Sequence, residues 1–307
     1  MGTSSGSGTD IRTRVDRLEE RYRDCDLCAH ECHVDRTTGE IGACQVDETV
    51  RLASYGPHFG EEAPLTGTGG SGTIFLGHCN LACVFCQNFE ISQEAKGARK
   101  VDATELADIA LSLQDRGCHN VNFVTPTHHS PTLAAAVLEA RDRGLDVPIV
   151  WNCGGYENPE IIRELDGVVD IYMPDLKWSS NEAARMYSKA PGYWNAARPS
   201  VLEMHRQIGD LELEENDVAT SGLLVRHLVM PGQVENSKGI VDFLADEVSK
   251  GTYLNLMAQY RPAYKVGQYG RYEEINRSIT AAEYREVVTH AENRGMGTLD
   301  VDDWALG

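Results

Sequence analysis

The sequence predicts an α/β fold, a partial (β/α)6 barrel carried behind a small cysteine-rich N-terminal lobe. Three observations lead there. From residue 70 onward, short apolar runs alternate with helical stretches, the pattern of βαβ units around a parallel sheet. Seven of the nine cysteines fall within the first 86 residues, in two tight groups. At 307 residues the chain can bury a full core without disulfide staples.

Taken in order, residues 1–10 are rich in Gly, Ser and Thr and have no apolar core. They read as a disordered tail rather than a signal peptide. A charged amphipathic helix is expected over 11–23, inside a lobe spanning 11–69. The barrel then occupies 70–307. Its strands are expected at 73–76, 120–124, 149–152, 171–173, 223–229 and 253–257, six in all. Helices are expected at 102–116, 130–143, 159–165, 181–189, 197–208 and 239–248. Asp102 with Thr104 starts the first of these, and Gly117 ends it. A C-terminal helix over 281–294 has Thr280 as its N-cap and Gly295 as its stop.

Composition narrows the function classes. There are 47 Asp and Glu against 28 Lys and Arg, a net charge of −19. Only 7 of the basic residues are lysine. Such a surface argues against nucleic acid and against anionic membranes as partners. No run reaches the ~18 apolar residues of a membrane span. An acidic, lysine-poor chain also has the composition of a halophile protein. With no secretory pattern, the cysteines are expected in a reducing, cytoplasmic compartment, where clustering favours metal binding over disulfides.

The second group, Cys79-Asn-Leu-Ala-Cys83-Val-Phe-Cys86, is C-x3-C-x2-C directly after the first barrel strand. Three thiolates on one loop hold three irons of a [4Fe–4S] cluster. Since ordinary clusters take four, one iron stays open. A structural zinc site with a remote fourth ligand, or plain buried thiols, is the competing reading, although closed zinc sites usually pair C-x2-C knuckles. Phe85 before the last cysteine sharpens the pattern. The first group, Cys25-x2-Cys28-x3-Cys32-x11-Cys44, would close a site completely, and zinc or an auxiliary cluster both fit. His30 and His33 lie between these ligands and can substitute, or remain loop residues. Cys118 and Cys153 are isolated and read as small buried hydrophobes.

The cluster loop resembles that of the radical S-adenosylmethionine (SAM) enzymes. Stretches such as Val124-Thr-Pro-Thr-His128, Asp170-Ile-Tyr-Met-Pro-Asp175, Arg226-His-Leu-Val-Met-Pro231 and Met257-Ala-Gln-Tyr-Arg-Pro262 are similar to the PflX branch, proteins like pyruvate formate-lyase activating enzyme. The resemblance implies a TIM-like partial barrel of the radical SAM type, a [4Fe–4S] cluster and SAM. It also implies an electron donor such as ferredoxin or flavodoxin. SAM chelates the open iron, and reduction breaks its sulfur–C5′ bond to give methionine and a 5′-deoxyadenosyl radical.

Chemistry in such barrels gathers at the C-terminal strand ends. These carry Thr125 to His129, Asn152 to Tyr156, Asp175 with Lys177, Arg226 with His227, and Gln259 to Pro262 with Tyr264 and Lys265. Lys177 and Arg226 suit the methionine carboxylate or the ribose hydroxyls. Asp175 suits a ribose hydroxyl or the sulfonium charge, and the resemblance assigns Asp175, Lys177 and Arg226 to SAM. Two departures stand out. The family's Gly-Gly-Glu turn is replaced by Thr125-Pro-Thr-His128, leaving Thr125 or Thr127 to accept from the SAM ammonium. Asn152 stands where activating enzymes place an acidic cation ligand. His128 and His129 are expected to point to opposite sides of an extended segment, with at most one facing the site. His78 shields the cluster. Glu61 and Glu62 are a solvated pair or present carboxylates to substrate. Tyr260, Arg261 and Tyr264 are substrate-side candidates.

The function expected is reductive SAM cleavage with hydrogen-atom abstraction from a substrate, in the activase sense a glycyl-radical protein. Direct modification of a peptide, RNA or small molecule is the alternative. A non-catalytic iron–sulfur electron-transfer protein is a third class, which the three-cysteine loop argues against.

Overall fold

The computed structural model of the chain describes residues 8–306. The tail expected over 1–10 lies outside the described residues as far as residue 7. Residues 8–10 are helical, so the tail is shorter than expected and the first helix starts earlier.

The strands are β1 (Val50–His58), β2 (Ser71–Leu76), β3 (Arg99–Val101), β4 (Val121–Val124), β5 (Ile149–Cys153), β6 (Ile171–Pro174), β7 (Glu212–Leu213), β8 (Ala219–Leu228), β9 (Tyr253–Met257) and β10 (Thr298–Val301). The helices are α1 (Gly8–Glu20), α2 (Ala63–Thr66), α3 (Phe89–Ser92), α4 (Ala103–Asp115), α5 (Ser130–Asp142), α6 (Pro159–Glu164), α7 (Asn181–Ala183), α8 (Tyr193–Ile208), α9 (Val234–Phe243) and α10 (Ala281–Arg294). Among the described residues no helix is long and apolar enough to cross a membrane.

The six expected barrel strands are all present. They run β2-β4-β5-β6-β8-β9 across one sheet, every neighbour parallel. This α/β architecture is the expected partial barrel. Its strands are apolar on both faces because helices cover the outside: all five residues of β5 and all four of β6 are buried.

The sheet is wider than the sequence suggested. β10 adds a parallel strand beside β9, and β1 with β3 adds an antiparallel edge beside β2. The boundary drawn between residues 69 and 70 is therefore crossed by the sheet itself, because β1 belongs to the stretch assigned to the lobe. β1 hides in the sequence for a physical reason. It bulges between Leu52 and Ser54 and carries Pro57, which breaks the alternating pattern. Proline is tolerated there because β3 pairs only with residues 50–52, leaving an open edge at position 57.

Two helices start earlier than expected, α8 at Tyr193 and α9 at Val234. Gly239, first residue of the helix expected over 239–248, lies inside α9, where a Cβ would stand 2.6 Å from Ser179 Oγ. α1 packs on α5 and α6, so the N-terminal segment lies against the outer helical layer rather than apart from it.

Candidate active site

The strand order brings the C-terminal ends of β2, β4, β5, β6, β8 and β9 round one cavity of about 320 Å³. Cys79, Cys83, Cys86, Phe85, Thr125, Asn152, Asp175, Lys177 and Arg226 all line it, together with Gln259. Residues 147 positions apart in sequence thus meet because each follows a parallel strand.

The cysteine loop starts where β2 ends. His78 turns the chain with φ 68°. The backbone N–H of Leu81 donates to Cys79 Sγ at 3.3 Å. Cys83 Sγ lies 3.1 Å from Ser188 Oγ, and Cys86 Sγ lies 3.1 Å from Ser92 Oγ. Burial pushes the Cys83 thiol up to about 11, with Lys177 opposing, and pushes Cys79 up further. Buried thiols of this kind become thiolates when a cation replaces the proton. Three such sulfurs on one loop, with an open cavity beyond them, fit a [4Fe–4S] cluster that keeps one iron free. Phe85 packs edge-on against Trp178 behind the loop, with ring centroids 6.0 Å apart.

The charged wall opposite is a closed network. Asp175 accepts from Lys177 Nζ and from Arg226 Nε, each at 2.7 Å. Arg226 Nη2 donates to Asn152 Oδ1 at 2.8 Å, and its Nη1 faces Glu61 at 3.3 Å and Glu62 at 3.6 Å. Burial alone would raise the Asp175 carboxyl, but Arg226 and Lys177 outweigh it and hold it down at about 2. Arg226 is likewise held protonated by its carboxylates against its burial.

This arrangement corrects one expectation. Glu61 and Glu62 are not a solvated pair: their side chains are 8% and 5% exposed and clamp Arg226 from below. Arg226 positions Asp175 and Asn152, and its guanidinium, with five N–H groups, also lines the cavity. Lys177 Nζ gives one bond to Asp175, keeps donors to spare, and lines the cavity with Arg226.

Thr125 lines the cavity in a left-handed conformation, φ 57°, a strained choice for a β-branched residue. Thr127 does not line it. Its hydroxyl donates at 2.8 Å to the buried Glu157, whose carboxyl is pushed up to about 7 by burial. His128 and His129 also differ from expectation. They sit on a 3-10 turn, not an extended segment, with ring centroids 4.3 Å apart, and both are buried away from the cavity. Tyr260 donates to Ile275 O and packs in the core, Arg261 is exposed, and Tyr264 stacks on Phe89 at 4.8 Å.

Cys118 and Cys153 are buried, and Cys153 shares the wall of the cavity. His33 is an exposed partner of Asp24, while His30 Nε2 pairs with Asn80 O at 2.9 Å. The structure brings Cys25, Cys28, Cys32 and Cys44 round a second, separate cavity.

Two positioning residues escaped the sequence reading. Tyr193 Oη accepts from Lys177 N at 3.0 Å and lies 2.8 Å from both Gly154 O and Asp175 O. Ser188 bridges Cys83 and Trp178 Nε1. Neither carries a motif signal, since both act through geometry set by distant strands.

The chain is similar to known proteins in sequence and in fold. The family model described as the Radical SAM superfamily matches residues 73–244. An uncharacterized protein of Methanocaldococcus jannaschii, MJ0674, is 33% identical over 295 residues, covering 93% of this chain and 79% of that protein. Among solved structures, Streptococcus suis SuiB has a TM-score of 0.50 at 12% identity, covering 74% of this chain and 47% of SuiB. The FeFe-hydrogenase maturase HydG of Carboxydothermus hydrogenoformans also has a TM-score of 0.50 at 12% identity, over 73% of this chain and 50% of HydG. Likeness at this identity speaks to the fold.

Proposed function

Because the chain belongs to the radical SAM superfamily, we propose that it cleaves SAM reductively and abstracts a hydrogen atom from a substrate held at the barrel mouth. The observation that carries this is the single cavity in which Cys79, Cys83 and Cys86 face Asp175, Lys177 and Asn152. Cys79, Cys83 and Cys86 would hold a [4Fe–4S] cluster, which would supply the electron for opening the sulfur–C5′ bond of SAM.

The chain's own residues set the conditions for that step. Lys177 offers an ammonium to the methionine carboxylate. Asp175, kept ionised by Arg226 and Lys177, supplies negative charge for a cationic ligand. Together Asp175, Glu61 and Glu62 outnumber Lys177 and Arg226 by one charge, which suits a cavity for a sulfonium. Thr125, with its strained backbone, presents oxygen to the ammonium in place of a carboxylate.

The PflX-like stretches place a glycyl-radical protein first among substrates to test, with a reduced ferredoxin or flavodoxin as donor. Anaerobic reconstitution with SAM and a low-potential reductant is expected to yield 5′-deoxyadenosine. An intact cluster with no 5′-deoxyadenosine would overturn the reading. Cys79→Ala, Cys83→Ala and Cys86→Ala are each expected to abolish cleavage, because losing one thiolate exposes a second iron. Extract from cells grown in deuterated medium then identifies the substrate class. The fraction that passes deuterium into 5′-deoxyadenosine contains it, whether protein, RNA or small molecule.

A further inference from the structure

Two segments flank the cysteine loop away from the cavity. A turn at 184–189 follows α7, and a strap at 261–272 follows β9. Both are bonded to Val84, the neighbour of Cys83. Val84 N donates to Tyr187 O at 2.8 Å, and Lys265 N donates to Val84 O at 2.9 Å. Tyr264 stacks on Phe89, just past Cys86, with ring centroids 4.8 Å apart. Among the described residues, none from either segment lines the cavity that holds Asp175 and Lys177.

These segments carry the reverse charge of the molecule. In a chain of net charge −19, they hold Arg185, Lys189, Arg261, Lys265 and Arg271 and no carboxylate. All five cations are exposed, and among the described residues none of them is paired with a carboxylate. Exposed cations elsewhere are paired, as in Arg12–Asp142, Arg143–Asp108 and Lys238–Glu286. The carboxylates that follow the strap are engaged locally: Glu273 accepts from Asn276 Nδ2 at 3.1 Å, and Glu274 accepts from Tyr187 Oη at 2.7 Å.

Between the cations stand groups suited to a protein contact. Tyr269 is 95% exposed and Met186 is 43% exposed. Aromatic residues, Met and Arg are the types enriched where proteins meet. Tyr264, Tyr269 and Tyr272 all take left-handed backbone, with φ 54°, 56° and 59°, a strained choice for residues other than glycine. Lys189 joins the turn to the strap. Its Nζ donates to Tyr272 Oη at 3.2 Å, and it lies 5.6 Å from the centroid of that ring. The two segments therefore form one basic, tyrosine-bearing rim.

We propose that this rim, residues 184–189 with 261–272, is the docking site of the electron donor, a small protein with an acidic face around a low-potential, one-electron centre. The inference rests on the reductive SAM cleavage proposed above and gives its electron a point of entry. SAM would occupy the cavity side of the cysteine loop. An electron arriving by way of Val84 reaches the three cysteines without crossing that cavity. The exchange is of one electron: the donor is oxidised by one, the cluster is reduced by one, and no bond or proton moves. An acidic donor is repelled by the molecule at large and attracted to this rim. That contrast sets both its encounter rate and its orientation.

The test measures binding by the full chain, reconstituted anaerobically with iron and sulfide and without SAM. The probes are an acidic plant-type ferredoxin and a flavodoxin, at low ionic strength. Wild type is expected to bind at least one of them. Lys189→Glu/Arg271→Glu should slow association by about 10-fold or more, and the gap should close as salt screens it. Arg271→Glu alone changes a side chain with no hydrogen bond or ion pair among the described residues, and should shift association the same way. Arg116→Glu/Lys250→Glu reverses two exposed charges before β4 and β9, at the other end of the strands, and should change association far less. With dithionite, which needs no docking site, Lys189→Glu/Arg271→Glu should form 5′-deoxyadenosine as fast as wild type. Equal carrier binding by wild type and both rim variants would overturn the proposal. So would a wild type that binds neither carrier, or that binds phosphatidylserine vesicles in their place. Carrier binding is read without SAM, and dithionite-driven cleavage without a carrier, so this inference and the proposed activity fail separately.

Discussion

At the scale of single residues, the site depends on polar atoms with several partners each. Tyr193 is the sharpest case. One hydroxyl serves the backbone of Gly154, Asp175 and Lys177, and so joins the ends of β5 and β6. Gly155 leaves room for it, with φ 74° and a Cβ that would stand 2.7 Å from the hydroxyl. Tyr193→Phe removes no carbon but strands a buried N–H, a loss of about 1–3 kcal/mol. Denaturant unfolding should show that loss. The KM for SAM should rise in the same variant, because Lys177 and Asp175 are no longer held in register. An unchanged KM would mean that the tyrosine supports only the fold. Arg226 works by the same logic, tying Asp175, Asn152, Glu61 and Glu62 at once. Arg226→Ala leaves buried carboxylates unpaired, and should cost ~3–5 kcal/mol of stability on chemical denaturation.

At the scale of elements, the strand ends position the chemistry and the helix ends hold the strands. α10 starts with a complete capping box: Thr280 Oγ1 accepts from Glu283 N at 3.2 Å, and the Glu283 carboxylate accepts from Thr280 N at 3.0 Å. Thr280→Ala should cost ~1 kcal/mol by thermal or chemical unfolding. β8 makes stability depend on pH. His227 is fully buried, with Nδ1 donating to Leu176 O and Nε2 accepting from Ser237. Burial lowers it to about 4. Its neutral form is favoured only in the fold, so its contribution is intact above its unfolded value near 6.5 and is lost as pH falls from there towards about 4. The loss is about 3 kcal/mol across that window. His227→Gln should flatten that part of the stability–pH curve, and an unchanged slope would count against it.

The same elements show what the sequence makes legible. All six barrel strands and the capping of α4 and α10 could be read, because apolar runs and cap residues are local signals. The cavity-lining Cys79, Asp175 and Lys177 could be read too, since strand ends are where such barrels place chemistry. β1, β3 and β10 could not, being short or irregular edge strands whose pairing is settled by neighbours far along the chain. Thr127 illustrates the remaining error. A 3-10 turn after β4 sends its hydroxyl to Glu157, and no local pattern announces that turn.

At the scale of the whole molecule, the net charge of −19 far exceeds the single negative charge in excess at the site. The surface does carry ion pairs, among them Arg12–Asp142, Arg198–Glu247 and Lys238–Glu286. Exposed pairs of this kind contribute about 0–1 kcal/mol each and are weakened by salt. The acid excess acts in the other direction, because 47 acidic side chains against 28 basic ones leave repulsion that salt relieves. At ~1 M salt the Debye length falls to about 3 Å, which screens the distant repulsion more than the buried network at Arg226. Repulsion summed over the surface should therefore outweigh the lost pairs. The Tm is expected to rise from low salt to ~1 M potassium chloride, before it levels off. Chloride is the right anion for the measurement, since sulfate would stabilise any fold by strengthening apolar burial. A Tm that falls steadily with chloride would mean that the surface pairs, not the acid excess, dominate the electrostatics of the fold.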